Sequence, residues 1–110
     1  MKIIILAAII LAVGYTKAQI VYSVNYENQA DVKVCAVQYD NQADLKVYKV
    51  KHENQFGNSD GNWFFTQYEN QAEKKAYFVG YENQVDLKIY FFDYENQAGW
   101  RNSAKESLLY

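Results

Sequence analysis

The sequence predicts an all-β fold, a closed array of short strands built from six repeats of 13 residues. Three observations carry this reading. The tetrapeptide Tyr-Glu-Asn-Gln or a close variant recurs at Tyr26–Gln29, Tyr39–Gln42, His52–Gln55, Tyr68–Gln71, Tyr81–Gln84 and Tyr94–Gln97, in steps of 13, 13, 16, 13 and 13. Between these copies apolar and polar residues alternate with period two, the pattern of a half-buried strand. Proline is absent from all 110 residues, so nothing removes a backbone donor from strand pairing.

The chain opens on a segment that reads as a secretory leader. Lys2 is followed by an unbroken apolar run from Ile3 to Val13, then by Thr16-Lys17-Ala18 with small residues at a cleavage position. A membrane span needs roughly 20 apolar residues, so residues 1–18 are expected to be removed, leaving no span and a mature start near Gln19. The expected location is secreted or periplasmic. Residues 19–110 then form a single domain, near the small end of what folds alone. The 11 basic side chains less Lys2 and Lys17 leave 9 against 13 acidic ones, a net charge of −4. That balance excludes a dedicated nucleic-acid binder, which needs a basic stripe, and a monomer is expected. Cys35 is the single cysteine, so large aromatic rings must supply the stability that disulfides often give.

Each unit contributes one strand. Tyr22, Val24 and Tyr26 alternate with Ser23 and Asn25, and the same pattern returns at Cys35-Val37-Tyr39, Phe64-Thr66-Tyr68, Tyr77-Val79-Tyr81 and Tyr90-Phe92-Tyr94. This tyrosine-rich face is expected to point inward. Phe65, Phe78 and Phe91 fall on the other face, which predicts strands covered on both sides. Within Tyr39–Lys51, Ala43, Leu45 and Val47 alternate with Asp44 and Lys46, and the parity changes between Val47 and Tyr48, as at a bulge. Lys74 stands where Leu45 and Leu87 are apolar, so its strand is expected to be more exposed. Lys33, Lys46, Lys75 and Lys88 follow Asp31, Asp44, Glu73 and Asp86 by two positions and predict an exposed ion-pair band.

The corner residues Asn28, Asn41, Asn54, Asn70, Asn83 and Asn96 are read as structural. Asparagine tolerates left-handed turns, and a recurring amide can stack into a ladder. Ile20–Asn25 is the second half of a unit and Tyr94–Arg101 a first half, so together the termini would complete one unit and seal the array.

No catalytic residue is assigned. His52 occupies the Tyr slot of its repeat and is read as a packing aromatic, because no nucleophile is paired with it. Cys35 sits in a strand slot held elsewhere by Tyr or Phe and is read as a buried small side chain. The corner acids Glu27, Asp40, Glu53, Glu69, Glu82 and Glu95 are equivalent, and catalysis would require one pair to be singled out. The irregular stretch Phe56–Trp63 is the one place where a ligand loop is expected, with Asn58, Asp60, Asn62 and Trp63 as its residues. It offers oxygens in the manner of a short calcium loop but lacks the spaced acids and the terminal Glu of the full motif. It is therefore read as a turn, with no metal and no cofactor.

With the units written out, the chain resembles a family of bacterial secreted proteins of unknown function that carry tandem Tyr-Glu-Asn-Gln-Ala-Asp-Leu-Lys-Val-Tyr-like repeats. The resemblance covers Ile20 to about Leu109. It implies short strands wound around a common axis, self-interlocked into a deep seven-crossing torus knot, the septoil knot. The expected role is a non-enzymatic secreted structural or interaction protein with a very stable scaffold. The alternative is a module binding carbohydrate or another envelope polymer through exposed aromatics and the 56–63 loop; tyrosine exposure discriminates the two.

Overall fold

The period-two pattern forms nine short strands in the computed structural model, which describes residues 16–52, 56–57 and 60–109. They are β1 (Thr16–Lys17), β2 (Gln19–Ser23), β3 (Val32–Ala36), β4 (Leu45–Lys49), β5 (Phe56–Gly57), β6 (Asn62–Phe65), β7 (Lys74–Phe78), β8 (Leu87–Phe92) and β9 (Gly99–Trp100). Six of them, in the spatial order β6-β2-β7-β3-β8-β4, close on themselves through a β4–β6 pairing. All six pairings are parallel. The described residues form a closed six-stranded parallel barrel without long helices.

The chain circles this barrel twice. A first circuit lays down β2, β3 and β4, each skipping one place, and a second circuit places β6, β7 and β8 in the gaps. A further skip after β4 would land on β2, so the regular step must break there. The 16-residue interval falls at that point, and part of it leaves the barrel as β5 to pair with β1.

Parallel strands usually need a crossover of about a dozen residues or more; here the links are shorter, at residues 24–31, 37–44, 66–73 and 79–86. Strand tilt explains them. On β7, Lys74 pairs with Val21 on one side and Ala76 with Val32 on the other. An advance of two residues per strand spacing corresponds to a tilt of roughly 55°, steeper than the usual range. The end of each strand is therefore carried most of the way to the start of the next.

Inside, Val21, Val34, Val47, Trp63, Ala76 and Ile89 occupy one repeat slot and form a buried layer, one side chain per strand. Trp63 is the largest and Ala76 the smallest, so the extremes offset each other in volume. Val32, Leu45 and Leu87 lie two residues earlier, on the same face. Phe65, Phe78 and Phe91 lie two residues later and pack on the core from the second circuit alone. Their ring centroids are 6.1 Å (Phe65–Phe78) and 6.3 Å (Phe65–Phe91) apart. The Lys49 ammonium sits 4.5 Å from the Phe91 ring centre and 5.4 Å from that of Phe65, a cation–π cap over this mouth.

Ala43, Leu45 and Val47 are buried as their alternation predicts, whereas the rings of the tyrosine-rich face do not line the interior, against expectation. Val, Ala and Ile point in, while Tyr26, Tyr39, Tyr68, Tyr81 and Tyr94 are 61–72% exposed. The phenylalanines share the core face and do not cover a second one. Val50 is buried after the exposed Lys49, so a change of parity does occur at the end of β4. Lys74 is half-buried, and β7 buries only Ala76.

The strand starts are held by the repeated acids. The carboxylates of Asp31, Asp44 and Asp86 accept the backbone N–H of Lys75 (2.9 Å), Lys88 (2.9 Å) and Lys33 (3.0 Å), and Glu73 accepts that of Ile20 (2.9 Å). In each case the acid's own N–H donates to the carbonyl of the same partner residue, at 2.8–3.0 Å. This two-point clasp replaces the expected ion-pair band. Charged acceptors make such bonds roughly twice as strong as neutral ones.

The C-terminal segment covers the strand-start end. Gly99–Trp100 pairs antiparallel with β4, and the Arg101 and Asn102 N–H groups both donate to the Asp44 carbonyl. After the 3-10 helix Ser103–Leu108, Leu109 is buried in the core, and its carbonyl accepts Gln19 Nε2 at 2.9 Å. The termini meet there but do not complete a unit together; β6, seated between β4 and β2, closes the ring. The expected leader lies outside the described residues as far as residue 15. Of its end, Thr16–Lys17 form β1 and Ala18 is buried.

Two predictions follow from these contacts. Asp44→Ala is expected to lower unfolding free energy by about 1.5–3 kcal/mol, whereas Asp93→Ala, at an exposed position, changes it by under about 0.5 kcal/mol; urea titration measures both. Gly61 has φ +95°, and a Cβ there would collide with the Lys46 carbonyl. Gly61→Ala should destabilise by about 2 kcal/mol or more, while Gly80→Ala, in open space, should be neutral or slightly stabilising.

Candidate binding surface

Each described corner is built the same way. The tyrosine is extended, and Glu-Asn-Gln (Asp-Asn-Gln at Asp40–Gln42) forms one 3-10 turn. At the first corner Gln29 N–H donates to the Tyr26 carbonyl and Ala30 N–H to the Glu27 carbonyl, both at 3.1 Å. Among the described residues only Gly61 and Gly99 have positive φ. The described corner asparagines therefore use no left-handed backbone. Asn28, Asn41, Asn70, Asn83 and Asn96 are exposed at the middle of their turns, and the expected ladder of amides does not form among them. Asn54 lies outside the described residues.

The corners instead present a repeated outward set of a tyrosine ring, a carboxylate and two amides. Glu27 pairs with Lys33 at 3.2 Å and Glu69 with Lys75 at 3.4 Å, surface contacts worth under about 1 kcal/mol each. His52 takes the tyrosine place in its corner and is exposed, not packed.

Two clefts open between the corners. One, of about 530 Å³, is lined by Glu27, Lys33, Tyr77, Gly80, Tyr81 and Gln84 among others. The other, of about 270 Å³, includes Cys35, Gln38, Tyr39, Gln42, Gly80 and Glu82. The Cys35 thiol is pushed up from its ordinary pKa by burial and by the negative charge of Glu82, against a smaller lowering from Lys88. That disfavours the thiolate, the reactive form. Cys35 is free.

The residues expected to form a ligand loop do not lie together on the surface. Asn62 is 3% and Trp63 1% exposed, because both belong to β6 and Trp63 fills the barrel's inner layer. Asp60 is half-buried, and Asn58 lies outside the described residues. Among the described residues no group of three or more His, Cys, Asp or Glu could hold a metal ion, and no helix is long and apolar enough to cross a membrane. The clefts were missed in the sequence because each draws on two units whose adjacency comes only from the interleaving of circuits. Their single local signal is Gly80, a glycine in a slot otherwise filled by Asn25, Gln38, Lys51, Gln67 and Asp93.

Comparison with curated proteins and with solved structures found no match to the chain. The family described as the 7(1) septoil knot domain matches residues 18–101, the span of the barrel and its β9 clasp. The chain belongs to the septoil knot domain family.

Proposed function

We propose that the protein is an exported, monomeric, non-catalytic interaction module that binds a carbohydrate polymer through its corners. Residues 1–18 are removed in this reading, and the domain acts in the periplasm or outside the cell. The observation that carries it is the exposure of five corner tyrosines, 61–72% each. A buried ring column would have left little to bind with. An exposed one offers flat apolar faces beside hydroxyl partners, the combination that suits sugar rings. A barrel stapled by long-range pairings holds these groups in fixed positions, which lowers the entropic cost of binding.

Affinity electrophoresis of the protein, expressed with its own leader, in gels containing hydroxyethyl cellulose, laminarin or soluble xylan tests this. Retardation in at least one gel is expected. Tyr39→Ala together with Tyr81→Ala should weaken it about tenfold, near 1.4 kcal/mol, with little change in melting temperature because both rings are exposed. Equal mobility in every gel and in its absence contradicts the reading.

A further inference from the structure

We propose that the two clefts are halves of one groove, open across Gly80, that seats a linear neutral polysaccharide. The inference rests on the carbohydrate-binding reading and places its site. The segment Tyr77–Gln84 runs between the clefts and contributes Gly80 to both. The clefts are equivalent in the repeat: Tyr77, Tyr81 and Gln84 of the larger occupy the slots of Cys35, Tyr39 and Gln42 in the smaller. Two like subsites side by side match a ligand made of like units.

Gly80 decides whether they connect. Its backbone does not require glycine, since it lacks the positive φ of Gly61 and Gly99. Packing does not require it either, because a Cβ there would meet nothing within 4 Å. The five equivalent positions carry Asn25, Gln38, Lys51, Gln67 and Asp93. The missing side chain therefore lowers the wall between two clefts without serving the fold.

The lining chooses the ligand. Tyr39 and Tyr81 are exposed and Tyr77 half-buried, giving apolar faces on both sides of Gly80. Gln42 and Gln84 donate and accept, and Glu27 and Glu82 accept from hydroxyls. Lys33 is paired with Glu27 at 3.2 Å, so among the residues lining the clefts the charge left is the Glu82 carboxylate, with Lys88 acting from behind Cys35. An anionic polymer is repelled there, and a neutral one is not.

Gly80→Trp fills the groove floor and Gly80→Gln restores the side chain found at Gln38 and Gln67. Tyr94→Ala removes a corner ring that lines neither cleft. Affinity electrophoresis would compare these with the parent protein in neutral hydroxyethyl cellulose, laminarin and xylan and in anionic carboxymethyl cellulose. The expected result is retardation by a neutral polymer, at least tenfold weaker in both Gly80 variants at unchanged melting temperature and kept in Tyr94→Ala. Gly80→Gln covers the case in which the larger tryptophan disturbs folding. If the parent is retarded and the Gly80 variants match it, the groove is wrong while carbohydrate binding stands. Preference for carboxymethyl cellulose overturns the choice of a neutral ligand. If no polymer retards the parent, both readings fall.

Discussion

Every barrel strand of the first circuit is hydrogen-bonded within the barrel only to strands of the second. The pairings β2–β6, β2–β7, β3–β7, β3–β8, β4–β8 and β4–β6 include no exception. Neither circuit holds a sheet of its own, so half the barrel exposes unpaired backbone on every strand, and such edges are unstable in isolation. The acid clasps join residues 44 or 53 apart in sequence. With non-local contacts this dominant, loop entropy must be overcome before any pairing is rewarded, which makes folding slow and cooperative.

The repeat works because one slot performs one task on most strands. Three residues before the inner layer, an acid pins the start of β3, β4, β7 and β8 to a neighbouring strand. Three residues after it, the N–H of Val24, Val37, Val50, Thr66 and Val79 donates to the carbonyl of Ala76, Ile89, Trp63, Val21 and Val34 in turn. The strand between these anchors is short, and its inward residue is determined by the space a six-stranded barrel leaves. The corners lie beyond both anchors. Their side chains make only surface contacts such as Glu27–Lys33 and Glu69–Lys75, and that freedom lets the tyrosines face solvent.

All-β structure and closure were legible in the repeat, although closure was expected from the chain ends and comes instead from β6, and the break between circuits at the 16-residue interval was not read. The inward face was read correctly at Ala43, Leu45 and Val47 but not where tyrosines entered the pattern, for a reason of volume. Tyrosine counts as apolar in a pattern and outnumbers the Val-Ala-Ile set, but a narrow barrel cannot hold a ring from every strand. Val21, Val34, Val47, Ala76 and Ile89 are the side chains that fit, with room for one Trp63. The clasp was hidden because Asp31 and Lys33 share a strand face, which suggests an ion pair, whereas the real partner is a backbone N–H on another circuit. Trp63 looked like part of an irregular loop because the glycines before it mask the slot it occupies. The groove required knowing which units become neighbours, and Gly80 alone could have marked it.

The interleaving is tested most directly by native-state hydrogen exchange of five equivalent amides, those of Val24, Val37 and Val50 at the ends of first-circuit strands and Thr66 and Val79 at the ends of second-circuit ones. Because each circuit depends on the other for its hydrogen bonds, all five should exchange only through complete unfolding, with one opening free energy equal to that from denaturant titration. If Thr66 and Val79 open at a lower free energy while Val24, Val37 and Val50 stay protected, the first circuit stands alone and the account is contradicted.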